Sequence, residues 1–129
     1  MIVVDASALV DLLVWPASVP RLAERLHHER SVHVPAVLDL EVTQAIRRLC
    51  ALREIPEMQG RFAVEDLEAL AARRYPHAPL LPRIWQLRAH LSAYDAAYVA
   101  LAESLDARLL TRDRRLAKTR GHRARIDLV

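Results

Sequence analysis

Apolar residues recur along this chain in two rhythms. Short unbroken apolar runs alternate with longer stretches in which apolar positions return every three or four residues. Met1–Val4 is the first short run and predicts a buried strand. Ser7 stands where it can cap a helix through Ala8-Leu9-Val10-Asp11-Leu12-Leu13, which Pro16 limits. Helical spacing resumes over Val19–Arg30, with Leu22, Ala23 and Leu26 set against Arg21, Glu24, Arg25 and Glu29. Ser31-Val32-His33-Val34 reads as a second short strand. Pro35 then opens a helix over Ala36–Arg53 whose apolar face is Leu38, Val42, Ala45, Ile46 and Leu49.

Pro56 and Gly60 interrupt the pattern. The next helix is predicted over Arg61–Arg74, with Phe62, Leu67, Leu70 and Ala71 facing inward, and Tyr75–Leu81, carrying Pro76 and Pro79, reads as a connector. Pro82 starts a short helix over Arg83–Leu91, and Ser92 caps an Ala-rich helix that runs through Leu105. Arg108–Thr111 is a predicted strand, Arg114–Lys118 a helical turn, and Arg125–Val129 a final strand. Helices alternating with short apolar strands predict an α/β fold, a small central parallel sheet flanked by helices. No repeat, low-complexity tract or linker divides the chain, so residues 1–129 are expected to form a single domain.

Composition narrows the function classes. A hydrophobic content of 53% with only 2 Gly argues for an ordered, helix-rich globule. Neither G-x-x-x-x-G-K-[ST] nor G-x-G-x-x-G occurs, which disfavours phosphate-cradling nucleotide folds. A net charge of +3 is a mild bias towards polyanionic partners. Lys118 is the only Lys, and Arg forks suit phosphates, although an Arg-rich codon bias explains most of that skew. Cys50 is alone, which fits a reducing compartment. Asp5 and Asp11 interrupt the apolar N-terminus, and no uncharged run approaches a membrane span, so a cytoplasmic protein without a signal peptide or membrane partner is expected.

The candidate chemistry lies in four acids: Asp5, Glu41, Asp95 and Asp113. Asp5 ends the run Ile2-Val3-Val4, and Asp113 follows Leu109-Leu110-Thr111. Each therefore sits at a strand end before a helix, and in an open parallel sheet such ends converge on the functional crevice. Asp95 starts the Ala-rich helix that feeds the Asp113 strand, and Glu41 lies on the rim of its helix's apolar face. Each acid alone has a simpler explanation. Asp5 can cap a helix or pair with an Arg, Glu41 can pair with Arg48, Asp95 stands at capping-box spacing from Ser92, and Asp113 can cap a turn. Three acids on one sheet edge, with Glu41 facing inward, exceed what capping requires. Like charges at about 4 Å repel by roughly 4 kcal/mol at an intermediate dielectric, so such a cluster calls for a cation, with Mg²⁺ or Mn²⁺ the natural oxygen-seeking candidates.

Asp5-Ala6-Ser7, the Pro35–Val42 segment around Glu41, the Tyr94–Ala102 segment around Asp95, and Leu110-Thr111-Arg112-Asp113 together resemble the four signatures of PIN-domain ribonucleases. The chain is most similar to the VapC toxins of bacterial toxin–antitoxin pairs, over essentially its whole length. Gln44 departs from the pattern, where the family often carries Asn. The resemblance implies a PIN-like fold and an Mg²⁺- or Mn²⁺-dependent endoribonuclease whose acidic site is Asp5, Glu41, Asp95 and Asp113. Asp5 and Asp95 are implied as direct metal ligands, leaving the other two to bind through water, hold a second metal or orient the nucleophile. RNA is the implied substrate, and a cognate small antitoxin protein and a second copy of the chain are the implied partners. Ser7 and Thr111 have hydroxyls placed to support the carboxylates, and Arg112, Arg114 and Arg115 can meet RNA phosphates, though each can equally serve as a cap or a solvated basic turn.

Other readings stay open at this point. A phosphotransferase using Asp5 as nucleophile would want Asp-x-Asp after the first strand, and position 7 is Ser. An RNA-processing nuclease outside a toxin–antitoxin pair shares the same four acids, while a non-catalytic RNA- or protein-binding relative would be expected to have lost some. The six His show no zinc spacing, and Trp15, Trp85, Tyr94 and Tyr98 are expected to pack in the core or at an interface.

Overall fold

The short apolar runs of the sheet centre are strands buried on both faces. In the computed structural model, which describes residues 1–129, Ile2–Val4 (β1) has all three side chains buried. Val32–Pro35 (β2) and Arg108–Thr111 (β4) lie parallel to it on either side, pairing Ile2 with Val32 and Val4 with Leu110. Ala72–Tyr75 (β3) pairs with β2, and Arg125–Leu128 (β5) with β4, so the order is β3-β2-β1-β4-β5 and every pair is parallel. This is the expected α/β fold with a parallel sheet.

The helices are Ala6–Val14 (α1), Pro20–His28 (α2), Val37–Ala51 (α3), Glu57–Ala69 (α4), Leu81–Gln86 (α5), Ala93–Leu105 (α6) and Arg114–Lys118 (α7), with single turns of 3₁₀ helix at Pro16–Ser18 and Ala78–Leu80. The α6 helix packs on β1, β2 and β4, and its Ala-rich stretch Ala96–Ala102 is buried throughout. Small side chains let it lie close to the sheet. The α1, α3 and α4 helices pack on one another, and Leu38, Val42 and Ile46 carry the inner face of α3. One cluster of 29 buried residues joins these layers, each fully buried Leu, Ile or Val adding about 1.5–3 kcal/mol to stability.

Several boundaries differ from expectation. The segment Ala72–Tyr75, placed by pattern partly in a helix and partly in a connector, is edge strand β3. Arg73 and Arg74 hid it. The Arg74 guanidinium folds back to Asp39 (2.7 Å) and to the Leu67 carbonyl (2.9 Å), which ends α4 and ties it to α3. Phe62 and Ala71, expected inward, are both exposed: α4 spans Glu57–Ala69 and turns Gly60, Ala63 and Leu67 to the core, and Ala71 lies past its end. Gly60 does not break α4 but sits inside it, where α3 crosses closely: an added Cβ would stand 2.5 Å from the Cys50 Sγ. Pro35 ends β2 rather than opening α3. Asp5, not Ser7, caps α1, its carboxylate accepting from the Ala8 N–H (3.0 Å).

Strand order reverses at β1. From β1 the chain runs outward through β2 and β3, then returns to place β4 on the other side. In open α/β sheets the crevice outside the carboxyl ends at such a reversal is where ligands bind. Asp5 leaves β1 at that edge, and Thr111-Arg112-Asp113 leaves β4 beside it.

Candidate active site

Asp5 is the buried centre of this edge, 5% exposed. Its Oδ1 accepts from the Ser7 hydroxyl (2.7 Å) and the Ala8 N–H (3.0 Å), and its Oδ2 accepts from the Thr111 hydroxyl. Burial nonetheless holds its pKa above the ordinary 3.8, outweighing those three hydrogen bonds, with the nearby Asp95 charge pushing the same way. Ser7 and Thr111 stitch the two strand ends together. The Ser7 oxygen accepts from the Arg112 N–H (3.0 Å), and the Thr111 oxygen accepts from the Asp113 N–H (2.9 Å). Their side-chain oxygens stand 3.3 Å apart.

Asp113 caps α7, accepting from the Arg115 N–H (2.8 Å) and the Leu116 N–H (3.2 Å). Asp95 lies in the first turn of α6, with its N–H donated to the capping Ser92 hydroxyl (3.2 Å). The capping roles considered for Asp5 and Asp113 are therefore real, and they coexist with convergence on one edge. Glu41 projects from the half-buried rim of α3 and accepts a short hydrogen bond from the Tyr98 hydroxyl. Burial raises its pKa, and the charges of Asp95 and Asp5 raise it further. Asp95 thus acts on both Asp5 and Glu41, and Asp5 on Glu41. Asp113 joins through Arg115, whose Nη2 donates to Asp95 Oδ2 (3.0 Å) and to Asp113 Oδ2 (3.3 Å).

As arranged, no three acidic, His or Cys side chains close into a cage for an ion. Arg115 stands between two of the four acids, and Tyr98 holds a third. The donor set still fits a hard divalent ion. Mg²⁺ keeps several waters and takes one or two carboxylates together with substrate phosphates rather than a full protein cage. The partly buried acids Asp5 and Glu41, both with raised pKa, are also groups that a cation would favour in their charged form.

Two participants were not legible as such. Tyr98, expected only to pack, is buried and reaches Glu41 across 57 residues of sequence. The available signal was its position three after Asp95, which puts both on one face of α6. Arg115, considered for phosphates, spans two of the acids. Arg112 is committed elsewhere: it pairs with Asp11, and its Nη1 donates to the Val129 carbonyl (3.1 Å). Gln44 is exposed, and Trp15, Trp85 and Tyr94 are at the surface rather than in the core.

A groove of about 630 Å³ opens beside the acids between α1 and α3. Its apolar lining includes Val10, Trp15, Leu49 and Leu52, and Ser7, Arg48 and Arg112 are among its polar lining. Leu9 and Val42, on the same two helices, are in the core. No helix is long and apolar enough to cross a membrane.

The family model for the PIN domain matches residues 2–122. Ribonuclease VapC12 of Mycobacterium tuberculosis is 43% identical over 129 residues, which is 100% of this chain and 99% of that protein. Among solved structures, PAE2754 from Pyrobaculum aerophilum superposes with a TM-score of 0.72 at 25% identity, covering 98% of this chain and 82% of the other. A toxin-antitoxin complex from Klebsiella pneumoniae superposes with a TM-score of 0.64 at 17% identity, over 92% of this chain and 91% of its counterpart, and carries likeness of fold alone.

Proposed function

The chain belongs to the PIN-domain family, alongside the VapC ribonucleases, and from that membership we propose that residues 1–129 act as one domain, a metal-dependent endoribonuclease serving as the toxin of a toxin–antitoxin pair. The observation that carries the reading is that Asp5 and Asp113 leave adjacent strands at the β1/β4 switch point, that Arg115 joins Asp113 to Asp95, and that Tyr98, one helical turn from Asp95, holds Glu41.

In this reading Asp5 and Asp95 hold Mg²⁺ or Mn²⁺. When bound there, such an ion would lower the pKa of a coordinated water and offset charge developing on a scissile phosphate. The protein's own groups do the rest. Ser7, Thr111 and the Ala8 N–H fix the Asp5 carboxylate, so that it keeps one orientation. Glu41, held at one oxygen by Tyr98, would bind the ion through water with its other oxygen and orient that water. Asp113 anchors Arg115 at the mouth, and exposed Arg114, which has no ion-pair partner, is available to the RNA backbone. The groove between α1 and α3 suits a peptide with apolar side chains, and its lining residue Ser7, which donates to Asp5, would set that peptide beside the acidic edge. We assign that groove to the antitoxin. Leu81, Trp85 and Tyr94 supply exposed apolar surface for the homodimer.

The test is cleavage of RNA by the purified chain with Mn²⁺ or Mg²⁺. Activity should vanish with EDTA and in Asp5→Asn, while the circular dichroism of Asp5→Asn stays that of the wild type. Full activity in EDTA, or in Asp5→Asn, would remove the carboxylate-held metal from the mechanism.

A further inference from the structure

Tyr98 is one of the largest fully buried side chains in the protein, yet its polar end is aimed at the acidic edge. A buried phenol needs an acceptor, and it takes a carboxylate on another helix. Its position on α6 explains the reach. Asp95 and Tyr98 are one helical turn apart, so the turn that presents Asp95 also carries the hydroxyl across to α3. Glu41 has no other hydrogen-bond donor in the protein: Tyr98 takes Oε2, and Oε1 is left to the edge. The three other acids are held differently, Asp5 and Asp113 by caps and Asp95 by Arg115. Glu41 and Asp95 each depend on a single side chain, but the holder of Asp95 is an exposed Arg, whereas the holder of Glu41 is fixed in the core.

The structure assigns Tyr98 as a positioning residue, one that sets where the free oxygen of Glu41 stands relative to Asp5 and Asp95. This rests on the proposed nuclease reading for its role in turnover, but not for its effect on cation binding. A carboxylate on a long side chain samples several rotamers unless held, and fixing one oxygen fixes the other. Partners of this kind typically contribute 10–100-fold to metal affinity or activity. Tyr98→Phe keeps the ring that fills the core and removes only the hydroxyl.

The experiment measures Mn²⁺ affinity by calorimetry and RNA cleavage kinetics for wild type, Tyr98→Phe, Glu41→Ala and the double variant. Tyr98→Phe is expected to bind Mn²⁺ about 10-fold more weakly and to lose about 10–100-fold in kcat with KM within about twofold. In the Glu41→Ala background, Tyr98→Phe should cost nothing more, because its effect passes through Glu41. A packing role would instead lower the melting temperature equally in both backgrounds and leave Mn²⁺ affinity alone. Glu41→Asp breaks the contact from the other side by drawing the carboxylate back one methylene. It should show the same losses, which keeps the test open if Tyr98→Phe folds poorly. Wild-type Mn²⁺ affinity in both single-contact variants overturns the assignment. So does an undiminished Tyr98→Phe effect in Glu41→Ala. If the wild type binds Mn²⁺ but cleaves no RNA, the nuclease reading fails while the affinity measurements still decide the role of Tyr98.

Discussion

Thr111→Val keeps the shape of a side chain that is 0% exposed and removes one hydroxyl. That hydroxyl donates to the Asp5 carboxylate and accepts from the Asp113 N–H at 2.9 Å. A hydrogen bond to a charged acceptor contributes about 1.5–3 kcal/mol, and the half-buried Asp113 N–H adds about 1 kcal/mol when it loses its acceptor. The substitution should therefore destabilise the protein by about 2–4 kcal/mol, or about 6–20 °C in melting temperature for a chain of this size. The cost should depend on pH, and its sign follows from Asp5. Burial raises the Asp5 pKa above 3.8, and the Thr111 hydrogen bond is the largest influence lowering it. Losing the bond raises the folded pKa further, so the penalty is full where Asp5 is ionised and shrinks as pH falls through the folded pKa. Thermal unfolding in EDTA at pH 8 and at pH 4 measures both effects, with Thr111→Ser as the variant that keeps the hydroxyl. A melting temperature within about 2 °C of wild type at pH 8, well short of the expected shift, would refute the reasoning. So would an equal loss at both pH values.

Three other outcomes follow from the same geometry. Mn²⁺ should raise the melting temperature of the wild type by mass action and do so much less in the Asp5→Asn, Asp95→Asn double variant; an equal shift would put the ion elsewhere. Arg115→Ala removes the cation shared by Asp95 and Asp113, so Mn²⁺ should bind more tightly by calorimetry, and weaker binding would mean Arg115 organises the acids instead of competing for them. His33 is buried between Ser31 and Tyr75, and burial holds its pKa below 6.5. Its contribution is complete above pH 6.5 and is lost as pH falls towards the folded pKa, so His33→Gln should flatten the stability profile between pH 5 and 7, read by urea unfolding.

What could be read from the sequence was local. Asp5 and Asp113 follow apolar strands and precede helices, so strand, cap and crevice edge were legible in a few residues each. Asp95 was legible through Ser92, whose cap is present. The contacts that shape the site were not, because they join residues distant in sequence. Nothing near Tyr98 points to Glu41, and Asp95 and Arg115, twenty residues apart on different elements, carry no shared pattern. Strand β3 was missed for a related reason. Its Arg73 and Arg74 contradict strand propensity, and an edge strand is held by its neighbour β2 and by the Asp39 contact rather than by its own composition. Gly60 looked like a helix breaker because its reason for being small, the passing Cys50, lies on another helix.

The position of β1 has a consequence for synthesis. It is the first strand made and the middle strand of the finished sheet, and its partner β4 is separated from it by about a hundred residues. Asp5 receives its hydrogen bond from a residue 106 positions later. At translation rates of about 5–20 residues per second, the first strand waits several seconds for that neighbour. A growing chain can therefore assemble α1 and β2 early but not the acidic edge, which forms only after most of the polypeptide has left the ribosome.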